Sequence, residues 1–163
     1  MSSEEQPVPT ADESSRPQDH PAETSAPESA KNPLTADLVA QSISLLARTG
    51  NGLSYAYTRL EFHAKNVSDL DLLESYPHLR YVDVSENALV NIDGLKHLEY
   101  VLSLDVHGNM LTTVPASIDR RKYLQHANFS RNRIATWSVS RWPMLSWLNL
   151  NGKSTYLKNL IAR

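Results

Sequence analysis

The sequence predicts an α/β solenoid of about five stacked coils, with a parallel β-sheet on its concave face and a capping helix at its N-terminal end. Two observations predict it. The stretch Leu79-Arg-Tyr-Val-Asp-Val-Ser-Glu-Asn87-Ala-Leu89 aligns without gaps under Val101-Leu-Ser-Leu-Asp-Val-His-Gly-Asn109-Met-Leu111 and under Leu124-Gln-His-Ala-Asn-Phe-Ser-Arg-Asn132-Arg-Ile134. Looser copies flank them: Tyr57, Leu60, Phe62, Lys65 and Val67 upstream, and Leu145, Leu148, Leu150 and Lys153 downstream.

The three central copies fit L-x-x-L-x-L-x-x-N-x-L, the leucine-rich repeat signature. Its asparagine position falls at 65, 87, 109, 132 and 153, in steps of 21 to 23 residues. A step that regular sets the coil length and the register in which coils stack.

Residues 1–33 come first and differ from the rest. They hold six of the nine prolines and seven acids against two bases, with Met1 and Val8 as the only large apolar residues. Such a segment cannot bury enough surface to offset its ordering entropy, so it reads as a disordered acidic tail. Its net charge of −5 leaves +3 for residues 34–163, so the overall −2 describes neither part.

Residues 34–52 read as a capping helix and turn. Thr35 is an N-cap, Asp37 an acidic first turn, and Leu38, Val39, Ile43, Leu45 and Leu46 an apolar face ended by Gly50. The helix is expected over about 36–48, lying on the open end of the first coil, and Gly50-Asn51-Gly52 turns the chain into the first strand.

Residues 53–163 form the repeat domain. Strand residues alternate faces. Leu60 and Phe62, Val82 and Val84, Leu104 and Val106, Ala127 and Phe129, and Leu148 and Leu150 therefore point inward. The return legs add Leu70, Leu73, Ile92, Leu95, Val114, Ile118 and Trp137, with Leu89, Leu111 and Ile134 closing the coils. Each large side chain buried contributes about 1.5–3 kcal/mol, and stacking is what buries it. Asn87, Asn109 and Asn132 follow the strands, where a sharp bend strands main-chain groups; they read as a structural ladder, not as catalytic residues. At the far end Lys153 replaces asparagine and Thr155 an aliphatic residue, leaving Tyr156, Leu157, Leu160 and Ile161 as cover. That pattern points to a truncated or weakly capped end.

Outward strand residues stack into columns about 4.8 Å apart from rung to rung. One column is Arg59, Tyr81, Ser103, His126 and Trp147; the next is Glu61, Asp83, Asp105, Asn128 and Asn149; a third is His63, Ser85, His107, Ser130 and Asn151. Adjacent carboxylates suggest acid/base chemistry, but an open face offers no desolvation to split their pKa values. His63 and His107 lie two rungs, roughly 10 Å, apart, too far to chelate one ion by themselves. Gly152-Lys153-Ser154-Thr155 lacks the first glycine of a phosphate loop, since Trp147 stands there. No catalytic, cofactor or metal site follows, and no basic stripe suggests nucleic acid. Interface anchors are enriched in Trp, Tyr and Arg, so Arg59, Glu61, Tyr81, Asp83, Asp105, His126 and Trp147 are the candidate protein-binding residues.

The chain has no cysteine. It also has no apolar run of membrane-spanning length and no signal-peptide core, so an intracellular, non-membrane protein is expected. The glycosylation matches Asn66-Val-Ser68 and Asn128-Phe-Ser130 are then incidental.

Beyond the repeats stand Pro33-Leu34-Thr35, the run Ser44-Leu-Leu-Ala-Arg-Thr-Gly-Asn-Gly-Leu53, and Ser75-Tyr-Pro-His-Leu-Arg-Tyr-Val-Asp-Val-Ser-Glu-Asn87. On these residues, the segment from Leu34 to about Gly152 resembles the leucine-rich repeat-containing protein 23 family, components of radial spokes in motile cilia and flagella. The resemblance covers the family's N-terminal half and fails from Lys153 onward. It implies a non-catalytic scaffold in the cytoplasm and cytoskeleton, within the axoneme of the cilium or flagellum. Its expected partners are radial spoke head and other axonemal proteins, with no cofactor and no small-molecule substrate. Repeats of the same length also occur in regulators of protein phosphatase 1, which makes a cytosolic phosphatase adaptor the second reading.

Overall fold

The computed structural model of the protein describes residues 31–118, 121–135 and 142–151. The expected tail up to residue 30, Trp137, and the cap built from Tyr156, Leu157, Leu160 and Ile161 lie outside the described residues.

The chain runs through helix α1 (Ala36–Ser42) and strands β1 (Ile43–Arg48), β2 (Tyr55–Glu61), β3 (Tyr81–Asp83), β4 (Ser103–Asp105), β5 (His126–Asn128) and β6 (Trp147–Asn149). All six strands form one sheet in chain order. From β2 to β6 every pair is parallel, with Leu60, Val82, Leu104, Ala127 and Leu148 in register. Among the described residues three short 3-10 turns, Asp71–Ser75, Asp93–Leu95 and Ala116–Ile118, form the opposite wall.

Between the two walls lies a continuous apolar core. Leu60, Phe62, Val82, Val84, Leu104, Val106, Ala127 and Phe129 enter it from the strands. Leu70, Leu73, Ile92, Leu95, Val114 and Ile118 enter from the return legs. Leu148 on the last described strand and Leu150 just past it are only partly buried against that core.

The N-terminal end departs from the expectation in two ways. Thr35 does cap α1, its hydroxyl accepting the Leu38 N–H. The helix, however, ends at Ser42 instead of running to Arg48, and residues 43–48 become β1, antiparallel to β2. A helix satisfies only its own backbone, whereas a strand also pairs the otherwise bare edge of β2. Leu45 and Leu46, expected on the helix's apolar face, are instead 52% and 59% exposed. The intervening turn is held by Gly52 at φ +70 donating to the Thr49 carbonyl, and by Asn51 Oδ1 accepting from Leu53. Second, the folded part starts before Leu34. Asn32 exchanges bonds with Ser68 and donates through Nδ2 to the carbonyls of Lys65 and Asn66, and Pro33 bridges to Asp69, so residues 32 and 33 belong to the first coil, not to a tail.

Two donors not foreseen from the sequence join the 3-10 wall. The buried guanidinium of Arg121 donates to the carbonyls of Leu95 and Leu98 one coil back. Burial lowers its pKa from the ordinary arginine value, with the Glu99 charge opposing that shift. Trp142 does the equivalent job one coil on, its Nε1–H donating to the Ile118 carbonyl at 2.8 Å while its ring stacks on Phe129.

Gly94 shows how closely the coils approach. A Cβ there would overlap the backbone of Leu70 and Asp71 in the previous coil. Gly94→Ala is therefore expected to destabilise the fold by about 1–3 kcal/mol, as overpacking does. Urea denaturation followed by circular dichroism checks this.

Candidate functional site

The site is built on the bend that follows each strand. At this bend residues 64, 86, 108 and 131 all take left-handed backbone conformations, and only the third of them is glycine. The sharp reversal leaves the strand-end carbonyls and the next N–H groups without ordinary ladder partners. Asparagine side chains take them up. Asn109 Nδ2 donates to Val106 and His107 of its own coil and to Val84 of the coil before, and its Oδ1 accepts the Leu89 N–H. Asn132 repeats the pattern with Val106, Phe129, Ser130 and Leu111. Asn87 bonds Val84 and Ser85 and accepts from Lys65 and Val67, which links the first coil although Lys65 holds the asparagine position there.

On the outward face of the sheet, register pairing places Arg59, Tyr81, Ser103, His126 and Trp147 in one column, and Glu61, Asp83, Asp105, Asn128 and Asn149 in the next. The candidate residues therefore share one surface. Arg59 lies over the Tyr81 ring at 5.2 Å and contacts Glu61 at 3.5 Å. Trp147 is 47% exposed at the far end of its column, and His126 beside it is also exposed.

The second column carries a role that the sequence reading missed. Asp83, Asp105, Asn128 and Asn149 each accept, through Oδ1, the backbone N–H two residues on. This local bond needs the short Asx side chain, and the run of Asp and Asn at equivalent positions was the available signal. Asp105 is fully engaged, since Oδ1 also meets His107 Nδ1 at 2.8 Å and Oδ2 accepts from Asn128. Glu61 is too long for this bond and leaves the first rung open.

There the structure gathers residues that the sequence reading had kept apart. His63 lies between Glu61, 3.4 Å from Nε2, and Asp83, 3.4 Å from Nδ1, with Ser85 Oγ 2.6 Å from Nδ1. His63 and His107 do not meet; each sits with the carboxylates of its own rungs, His107 with Asp105 and Glu86. The Glu61-x-His63 spacing on a strand, read with the Glu61 to Asp83 register, would have revealed the first group.

No family model matches the chain. Leucine-rich repeat-containing protein 23 of Homo sapiens is 42% identical to it over 125 residues, 77% of this chain. The Bos taurus protein of the same name matches to the same extent, and that of Mus musculus is 37% identical over 120 residues. The chain belongs to the leucine-rich repeat-containing protein 23 family. It spans 36% of the length of the human relative and 35% of the mouse one. The family's repeat architecture agrees with the parallel sheet and asparagine ladder seen here. Among the described residues no helix is long and apolar enough to cross a membrane.

Asn109→Ala removes three donated bonds and one accepted bond from buried or half-buried backbone groups. With each stranded group costing about 1–3 kcal/mol, the substitution is expected to lower stability by about 3 kcal/mol or more. Chemical denaturation of the variant against the parent measures it.

Proposed function

We propose that the chain is a non-catalytic protein-binding scaffold of five coils, and that it serves the radial spoke of the motile cilium or flagellum. The observation that carries the binding role is the register-aligned column of Arg59, Tyr81, Ser103, His126 and Trp147 beside the Glu61 and Asp83 carboxylates. An aromatic and charged strip on a rigid sheet is the kind of surface on which repeat proteins dock partners. Asp83 and Asp105 already accept backbone N–H groups, which favours a positioning role over proton transfer. The axonemal setting, with spoke-head and neighbouring axonemal proteins as partners, is supported by family membership.

Expression of the tagged chain in ciliated cells tests this reading. The chain is expected to remain with the axoneme after detergent extraction and to co-purify radial-spoke proteins. Combined Tyr81→Ala and Trp147→Ala is expected to weaken that recovery by about 30-fold, corresponding to loss of one 2 kcal/mol hot spot. A wholly extractable pool would overturn the axonemal role, and recovery of a phosphatase instead would favour the adaptor reading.

A further inference from the structure

We propose that Glu61, His63 and Asp83 form a binding site for one divalent transition-metal ion of the zinc type, at the first rung of the sheet's outward face. The proposal rests on side-chain geometry and stands or falls independently of the partner reading above.

Strand geometry assembles the three ligands. Glu61 ends β2, and His63, two residues on, falls on the same side of the sheet. The parallel register sets Asp83 beside Glu61. One ligand atom from each residue lies within 4.8 Å of the others. Glu61 Oε2 faces Arg59 while Oε1 faces His63, and Asp83 Oδ1 also accepts the Ser85 N–H.

Imidazole and carboxylates face one another around this point, with Nε2 3.4 Å from Glu61 Oε1 and Nδ1 3.4 Å from Asp83 Oδ1. With the ion on Nε2, the buried Ser85 hydroxyl, 2.6 Å from Nδ1, accepts the remaining ring N–H, the outer contact that orients metal-bound histidines.

The donor set selects the ion. One imidazole nitrogen and two carboxylates suit zinc, whereas calcium and magnesium take six or more oxygens. Zinc bonds of about 2.0–2.2 Å set tetrahedral ligands about 3.4 Å apart, so closure asks for side-chain shifts of about 1.4 Å. Glu61 and His63 are exposed enough to make them, and the fourth position is left to water or to a side chain from a docked partner.

Calorimetric titration of the untagged chain with zinc chloride at neutral pH is expected to give one ion per chain, with the His63 ring resonances shifting on addition. Affinity should fall about tenfold or more in His63→Ala and in Asp83→Asn. Asparagine still accepts the Ser85 N–H, so Asp83→Asn decides the matter if His63→Ala proves unfolded by circular dichroism. His107→Ala should bind as the parent does. No uptake at micromolar zinc, or uptake that survives both substitutions, would overturn the site.

Discussion

Every part of this structure depends on how the chain leaves each strand. The bend after the strand places backbone groups where their own coil cannot satisfy them, and burying such groups unpaired costs more than a typical hydrogen bond gains. The neighbouring coil supplies the answer. Asn87, Asn109 and Asn132 accept N–H groups of the coil before and donate to strand-end carbonyls, and Asn109 and Asn132 donate across the coil boundary as well. Coil-to-coil register is thus fixed by hydrogen bonding, with apolar burial acting over a register already chosen. The 3-10 wall follows the same logic with different residues, Arg121 and Trp142 each donating one coil back.

That fixed register is what gives the outward face its order. Side chains from coils 22 residues apart in sequence stand side by side because Arg59 pairs with Tyr81 and Glu61 with Asp83. The same order divides work within one column. Asp83, Asp105, Asn128 and Asn149 stabilise the bend locally, whereas Glu61 has no such bond and leaves its carboxylate to Arg59 and His63. Titratable side chains therefore gather at the first rung, and the column from Arg59 to Trp147 runs across the other rungs.

The N-terminal end shows a second constraint, that a sheet edge needs cover. The β1 strand supplies it for β2, and in doing so exposes Leu45 and Leu46 and holds Leu45 at a left-handed φ of 57°. At the same end Asn32 bonds to the Lys65 and Asn66 carbonyls much as the ladder asparagines do between coils. The cap is a helix of two turns joined to a hairpin, not one longer helix.

The sequence by itself determined the coil length, the inward residues of the strands, the ladder asparagines and the first two columns of the outward face; of the third column, Ser85 and Ser130 are buried. All of these repeat with a fixed step, and a period-two strand converts position directly into direction. Thr35 was legible as a helix start for the same reason, being a local signal read by a local bond. Only the tertiary structure decided where α1 stops, because residues 43–48 carry a pattern compatible with either state and the choice falls to the unpaired edge of β2. It alone revealed the contact of Asn32 with the first coil, the reach of Arg121 and Trp142 across coils, and the space that requires Gly94. Each of these is a meeting of residues more than twenty positions apart whose individual identities carry no periodic mark. The Glu61, His63 and Asp83 group stands between the two cases: its register could be read from the repeat, but its distances belong to the fold.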